Sequence, residues 1–286
     1  MLRTRGNRRR SKGNRGASQS SEQSARTRRT PRPNETLALN ALVLAGGRRD
    51  AVCEGTGAVN KAFIPVGGVP MVTRVLKTLR TVPAIEQITV VAPTIALEDS
   101  ALTLADVRRS SGERIIESVQ RGLSETDPDA MMLVVTSDAP LLSTASLENF
   151  TQTLASIDAD LVYSIAEKKT HEKQYPGVPH TWARMRGGVY CGGAVFGMRP
   201  RVVSALTQFL DELAAARKSP LRLARAFGWD VVLRFALGML PISAAEARAS
   251  TLLGYRVRAV VSAPDLAFNV DRKSDLALAE RFLGAA

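Results

Sequence analysis

Cysteine and histidine are scarce in this 286-residue sequence, with two of each. Cys53 and Cys191 form no CxxC pair. So few soft ligands argue against a structural zinc site and against a disulfide framework. They fit a protein of a reducing, cytoplasmic compartment. Long apolar runs are also missing. The longest candidate, residues 231–240, carries Arg234 and is too short to span a bilayer. The N-terminus has no apolar core of the signal-peptide kind, so no membrane partner is expected. Acid is nearly absent from residues 1–34, where ten arginines and Lys12 face only Glu22. That stretch holds +10 of the chain's net +12, leaving +2 for the remainder. With so few apolar residues it cannot offset the entropy of ordering, so residues 1–36 are predicted to be a disordered basic tail. A plain solvated tail is one reading of it; the other is an electrostatic arm for RNA, DNA or anionic lipid, the one part of the chain suited to nucleic acid. The chain as a whole is 45% hydrophobic, enough for a core within residues 37–286.

The most informative stretch is Ala41-Leu-Val-Leu-Ala-Gly-Gly47, followed by Asn60-Lys61-Ala-Phe-Ile-Pro-Val-Gly-Gly68. An apolar run of strand length breaks at two glycines into a polar loop, and a lysine precedes the next apolar run. Glycines let backbone N–H groups approach oxyanions closely, and a lysine adds a point charge. An ordinary strand with a Gly-rich turn and a solvent-facing lysine is the plain alternative. The loop has neither P-loop spacing nor a G-x-G-x-x-G entering a helix.

Apolar strands and helical patterns then alternate. Helices are predicted over 70–79, 113–123, about 143–157 and 274–283, and strands over 87–92, 131–136, 160–166 and 256–261. Glycine pairs 187–188 and 192–193 suggest a hairpin within 182–198. Residues 200–253 read as mostly helical. Phe227, Trp229 and Phe235 in that segment are expected to pack, with capping of a ligand site or an oligomer surface as the alternatives. Strand–helix alternation implies a parallel or mixed sheet covered on both faces, with ligands at the carboxyl ends of strands. The Gly46-Gly47 loop, Asp138 and the segment around Asp271 all fall there. Asp138 closes the strand Leu133-Val-Val-Thr-Ser-Asp-Ala-Pro140. A carboxylate at such a point needs a partner, and a divalent cation or a helix N-terminus would serve.

These motifs resemble those of the molybdenum-cofactor guanylyltransferase-like (MobA-like) NTP transferases, within the sugar-phosphate nucleotidyltransferase superfamily. Such proteins begin with a strand, Leu-x-Ala-Gly-Gly, a variable loop, and a lysine before an apolar turn and a helix. Their loops carry an arginine and a glycine midway; here Arg48-Arg49 come early and Gly55 and Gly57 late, in a longer loop. The resemblance implies a three-layer α/β/α sandwich of the nucleotide-diphospho-sugar transferase (GT-A-like) kind over residues 37–286, with a helical insertion around 200–253. It implies Mg²⁺ held by Asp138 and by Asp271 of Asn269-Val-Asp271, with Asn269 as the fallback. Asp275 would instead serve the N-terminus of the last helix through its dipole. Lys61 and Asp138 are the implied catalytic residues. The implied nucleotide site is Leu44, Ala45, Gly46, Gly47, Arg48, Lys61, Arg114, Ser118 and Asp138. Arg114 and Ser118 enter it because Arg114…Ser118-Val-Gln-Arg-Gly122-Leu resembles an element of the methylerythritol-phosphate cytidylyltransferases. Arg184, Arg186, Gly192 and Gly193 are the expected acceptor residues; a hairpin with solvated arginines is the alternative. The expected reaction joins an NTP to a phosphorylated acceptor (a sugar phosphate, polyol phosphate or pterin cofactor) and releases pyrophosphate. A glycosyltransferase on the same fold, or a non-catalytic nucleotide sensor, are the competing readings.

Overall fold

The computed structural model describes residues 38–216 and 227–284. The basic tail and residues 217–226 of the expected helical segment lie outside them. The strands are β1 (Leu39–Leu44), β2 (Pro65–Val66), β3 (Val69–Pro70), β4 (Ile85–Ala92), β5 (Val107–Ser110), β6 (Met132–Thr136), β7 (Leu161–Glu167), β8 (Ala183–Met185), β9 (Gly188–Met198) and β10 (Val257–Val261). The helices are α1 (Met71–Arg80), α2 (Ile115–Gly122), α3 (Thr144–Ser156), α4 (Lys168–Gln174), α5 (Val203–Ala216), α6 (Trp229–Ala236), α7 (Ile242–Leu253) and α8 (Lys273–Gly284).

One sheet runs β10-β7-β9-β6-β1-β4-β5, with β8 paired to β9. β1 is parallel to β4 and β6, and β10 is parallel to β7. Among the strands of this sheet β9 alone is reversed, antiparallel to β6, β7 and β8. The run Leu39–Leu44 is apolar on both faces because both faces are covered. On one side Val72, Val75, Leu76 and Leu79 of α1 and Leu147, Phe150 and Leu154 of α3 pack on Ala41, Val43 and Val90. On the other, Ile116 and Val119 of α2, Val203 of α5 and Leu253 of α7 cover Leu42, Leu44 and Val134. Gly122 is where α2 touches β1: a Cβ there would overlap Leu42. This is a helix–sheet–helix sandwich.

Most expected elements appear within two residues of their predicted bounds. β5 has no counterpart among them, because Val107-Arg-Arg-Ser has no apolar alternation; it is an edge strand, where charged side chains are favoured. α4 buries only His171 and carries no periodic signal. Of the packing expected at Phe227, Trp229 and Phe235, that of Phe227 is found, edge-on against Phe209, and that of the other two is not. Trp229 is 63% and Phe235 48% exposed, and α6 contributes no buried residue.

Candidate active site

Register brings the first two functional segments together. Leu44 of β1 pairs with Thr136 of β6, so Gly46 and Asp138 leave the sheet side by side, each two residues past a paired position. Gly46 fits only as glycine: a Cβ would lie 2.6 Å from Ser111 Cβ and 3.3 Å from Ser118 Oγ. Gly47 has φ +107°, a conformation L side chains rarely adopt. Gly46→Ala is therefore expected to cost about 1–3 kcal/mol by overpacking, seen in denaturant unfolding, and to raise the KM for NTP as the loop shifts.

Asn60 is absent from the residues expected at the site, yet it organises this loop. It is 1% exposed. Its Nδ2 donates to the Ala45 carbonyl at 3.0 Å and the Gly47 carbonyl at 3.2 Å, and its Oδ1 accepts the Ala62 N–H at 3.0 Å. One amide thus ties both sides of the glycine turn to the short 3-10 turn (Lys61–Phe63) that carries the lysine. The only available signal is an asparagine, a good cap, just before Lys61.

Lys61 joins three chain segments. Its ammonium lies 2.5 Å from Asp138 Oδ2 and 2.9 Å from Asp271 Oδ1, and it donates to the Val270 carbonyl at 3.4 Å. Burial alone would lower its pKa. Asp138 and then Asp271 outweigh that and hold it above the usual lysine value, so it stays charged at neutral pH.

Asp138 is 6% exposed. Capping a helix is not its role, since Ser143 caps α3. Its Oδ1 is buried without a hydrogen-bond partner among the described residues, and so is Oδ1 of Asn269. The Asp138 carbonyl accepts the Val270 N–H at 2.9 Å, which fixes the 269–271 segment against β6. Asp271 is exposed.

Asp275 does more than complement a dipole. It is 3% exposed, and its Oδ2 accepts the N–H groups of Asp271 at 3.0 Å and Arg272 at 2.9 Å. It therefore sets the backbone that presents Asp271. We expect Asp275→Asn to lose about 1–2 kcal/mol of stability, the difference between charged and neutral hydrogen bonds. Turnover should fall with it, but by less than about tenfold; matched unfolding and rate measurements check both.

Other expected residues are placed as follows. Ser118 is buried beside Gly46, and its Oγ accepts the Gly112 N–H at 3.0 Å. Arg48 extends from the loop to Glu113 at 2.6 Å. Arg114 is held by Glu117 at 3.1 Å and by Asp211 of α5 at 2.5 Å. Arg184 and Arg186 are exposed on the β8–β9 hairpin, whose turn is formed by Gly187. Gly192 and Gly193 are not in that turn; they lie within β9, where a Cβ would overlap Tyr163 and Ser164 respectively. The side-chain space at these two positions is taken by Tyr163 and Ser164. The two histidines, His171 and His180, meet with Nε2 atoms 3.0 Å apart. Burial, then His180, lowers the His171 pKa to about 4.

A divalent cation fits the donor set. Among the described residues no three His, Cys, Asp or Glu side chains cluster as a metal cage. Asp138 and Asp271 offer two oxygen-bearing groups at one point, and Asp138 Oδ1 needs a partner. That suits Mg²⁺, which retains waters and takes substrate phosphate oxygens as ligands.

The chain matches the family model of the MobA-like NTP transferase domain over residues 41–227. No curated protein sequence matches it. A hypothetical transferase from Thermus thermophilus is 32% identical with a TM-score of 0.72, covering 84% of this chain and 100% of that one. The 4-diphosphocytidyl-2C-methyl-D-erythritol synthase of Anaerococcus prevotii is 14% identical, with a TM-score of 0.54 over 87% of this chain and 97% of its own. The 2-C-methyl-D-erythritol 4-phosphate cytidylyltransferase of Thermus thermophilus is 18% identical, with a TM-score of 0.52 over 87% of this chain and 100% of its own. These last two share the nucleotide-diphospho-sugar transferase fold of mostly parallel sheet and flanking helices. With its family model matched over most of the chain and its glycine loop, lysine and strand-end aspartate in one place, the protein belongs to the MobA-like NTP transferases, a family of nucleotidyltransferases.

Proposed function

We propose that this chain catalyses Mg²⁺-dependent transfer of a nucleotidyl group from an NTP to a phosphorylated small-molecule acceptor. The observation that carries this reading is the Lys61–Asp138–Asp271 cluster beside the Gly46-Gly47 turn. An acceptor phosphate oxygen attacks the α-phosphorus in line. The bond from that phosphorus to the bridging oxygen breaks, and pyrophosphate leaves with the electron pair. Little covalent work falls to the protein; positioning and charge neutralisation suffice. The glycine turn, held by Asn60, offers backbone N–H groups to the triphosphate. Lys61 keeps its proton and neutralises phosphate oxygens. Asp138 and Asp271 would hold Mg²⁺, which neutralises the triphosphate when bound. Ser118, next to Gly46, is the better placed of the two α2 candidates to meet the base, because Arg114 is engaged by Asp211. Arg184 and Arg186 would take the acceptor phosphate.

Both cysteines are free thiols, which supports a cytoplasmic setting. Among the described residues no helix is long and apolar enough to cross a membrane. The test is pyrophosphate release from each NTP in turn, with a panel of phosphorylated acceptors, with and without EDTA. Release that requires NTP, acceptor and Mg²⁺ together is expected. No release under any combination would refute the reading.

A further inference from the structure

A cavity of about 280 Å³ lies between the sheet and α7. Tyr163 and Ile165 of β7 form one wall, and Ile242 and Ala245 of α7 the other. Its surface is almost wholly apolar. Two glycines of the hairpin strand shape it. A Cβ on Gly192 would overlap the Tyr163 hydroxyl, and one on Gly188 would lie 2.6 Å from the Tyr190 hydroxyl. Each glycine thus gives up its side-chain space to a phenol that lines the cavity. Burial, then Cys191, raises the Tyr163 pKa, so this phenol remains a donor at neutral pH.

Beside this cavity is a second, wider cleft of about 620 Å³ lined by Arg184, Arg186 and Met239. Met185 borders both. Gly192 pairs with Ile165 near the carboxyl end of β7. β6 and β7 both run against β9, so the carboxyl end of β6, which Asp138 follows, lies at the same edge of the sheet. The apolar cavity thus lies on the face of the sheet over β7 and β10 and reaches, past Met185, the arginine cleft at the carboxyl edge.

We propose that the cavity binds the carbon skeleton of the acceptor, so that the acceptor is an amphipathic phosphate monoester with a ring or short aliphatic body. This rests on the nucleotidyltransferase reading. A fully hydroxylated sugar would leave its hydroxyls unpaired against apolar walls, which is costly. Two phenols satisfy one or two polar groups, and the arginines hold the phosphate.

Calorimetric titration of the full chain with n-hexyl phosphate, phenyl phosphate and glycerol 3-phosphate tests it. At least one apolar ester should bind about ten times or more tightly than glycerol 3-phosphate, because buried apolar surface adds to the shared phosphate contact. Ala245→Phe fills the cavity and should erase that preference while leaving glycerol 3-phosphate affinity unchanged. Ala249→Leu, a smaller change on the same wall, should reduce it, and NTP binding by each variant reports that it folds. Equal affinity for all three esters, or a preference that survives both variants, would overturn the proposal. The readout needs no turnover. Pyrophosphate release with equal ester affinities overturns the cavity's role alone, whereas tight, cavity-dependent ester binding with no NTP turnover refutes nucleotidyl transfer and supports the ligand class.

Discussion

Asp138→Asn should lower Mg²⁺-dependent nucleotidyl transfer about a hundred- to a thousand-fold in kcat, with the unfolding midpoint close to that of the parent. The substitution keeps size and shape but removes the charge that would hold a cation against the triphosphate. Loss of one preorganised electrostatic group of this kind costs on the order of 3–4 kcal/mol of transition-state stabilisation. The fold tolerates it because the contact that docks the last functional segment runs through the Asp138 carbonyl to the Val270 N–H, not through the side chain. Lys61 also retains Asp271 as a partner. Steady-state rates across a Mg²⁺ titration check the loss. Normal turnover in a folded Asp138→Asn protein would overturn the nucleotidyltransferase reading itself.

Lys61→Ala is expected to produce a split result. Turnover should fall by about a hundredfold and the KM for NTP should rise, since the ammonium serves phosphates in both ground and transition states. Affinity of the free protein for Mn²⁺ should meanwhile increase. Lys61 is the cation now shared by Asp138 and Asp271, at 2.5 and 2.9 Å, and removing it leaves two carboxylates facing one point. Metal titration followed by the Mn²⁺ spin signal separates the two effects. Weaker metal binding would show that the two carboxylates do not form one metal site.

Much of this arrangement can be read from the sequence, for a physical reason. β1, β6 and the second half of β4 are largely buried and read as near-continuous apolar runs, and α1 shows helical spacing because it buries one face only. Asp138 stands out because a charge just past the end of an apolar strand interrupts the run, whereas Lys61 and Asp271 lie in a 3-10 turn and a loop and stand out through the motifs around them. The residues that stay hidden act through contacts that no local pattern encodes. Asn60 reaches back across the loop to Ala45 and Gly47. Asp275 is legible as the acid in the first turn of the last helix; what the sequence leaves unsaid is that the N–H groups it accepts, three and four residues back, include that of Asp271. The glycines of β9 are visible as a hairpin signal, but only half of that signal marks a turn: Gly187 makes it, whereas Gly192 and Gly193 accommodate side chains of β7. β5 and α4 are invisible because their residues carry no periodicity.

The place of β9 between β6 and β7 governs the order in which this protein can assemble. β6 and β7 follow one another in the chain, yet they cannot pair; β7 waits for a strand synthesised later, and β10 adds to β7. Strands β1, β4, β5 and β6 need only residues up to 136. Long-range insertion of this kind carries a loop-closure cost and is slow relative to local pairing. Pulse-labelled hydrogen exchange during refolding should find amides of β1, β4 and β6 protected before those of β9. Lys61 and Asp138 would then meet early, while Asp271, encoded after β10, arrives last. A ribosome-bound chain that ends before β10 carries the glycine loop without Asp271, so the proposed metal site could be completed only when synthesis is nearly done.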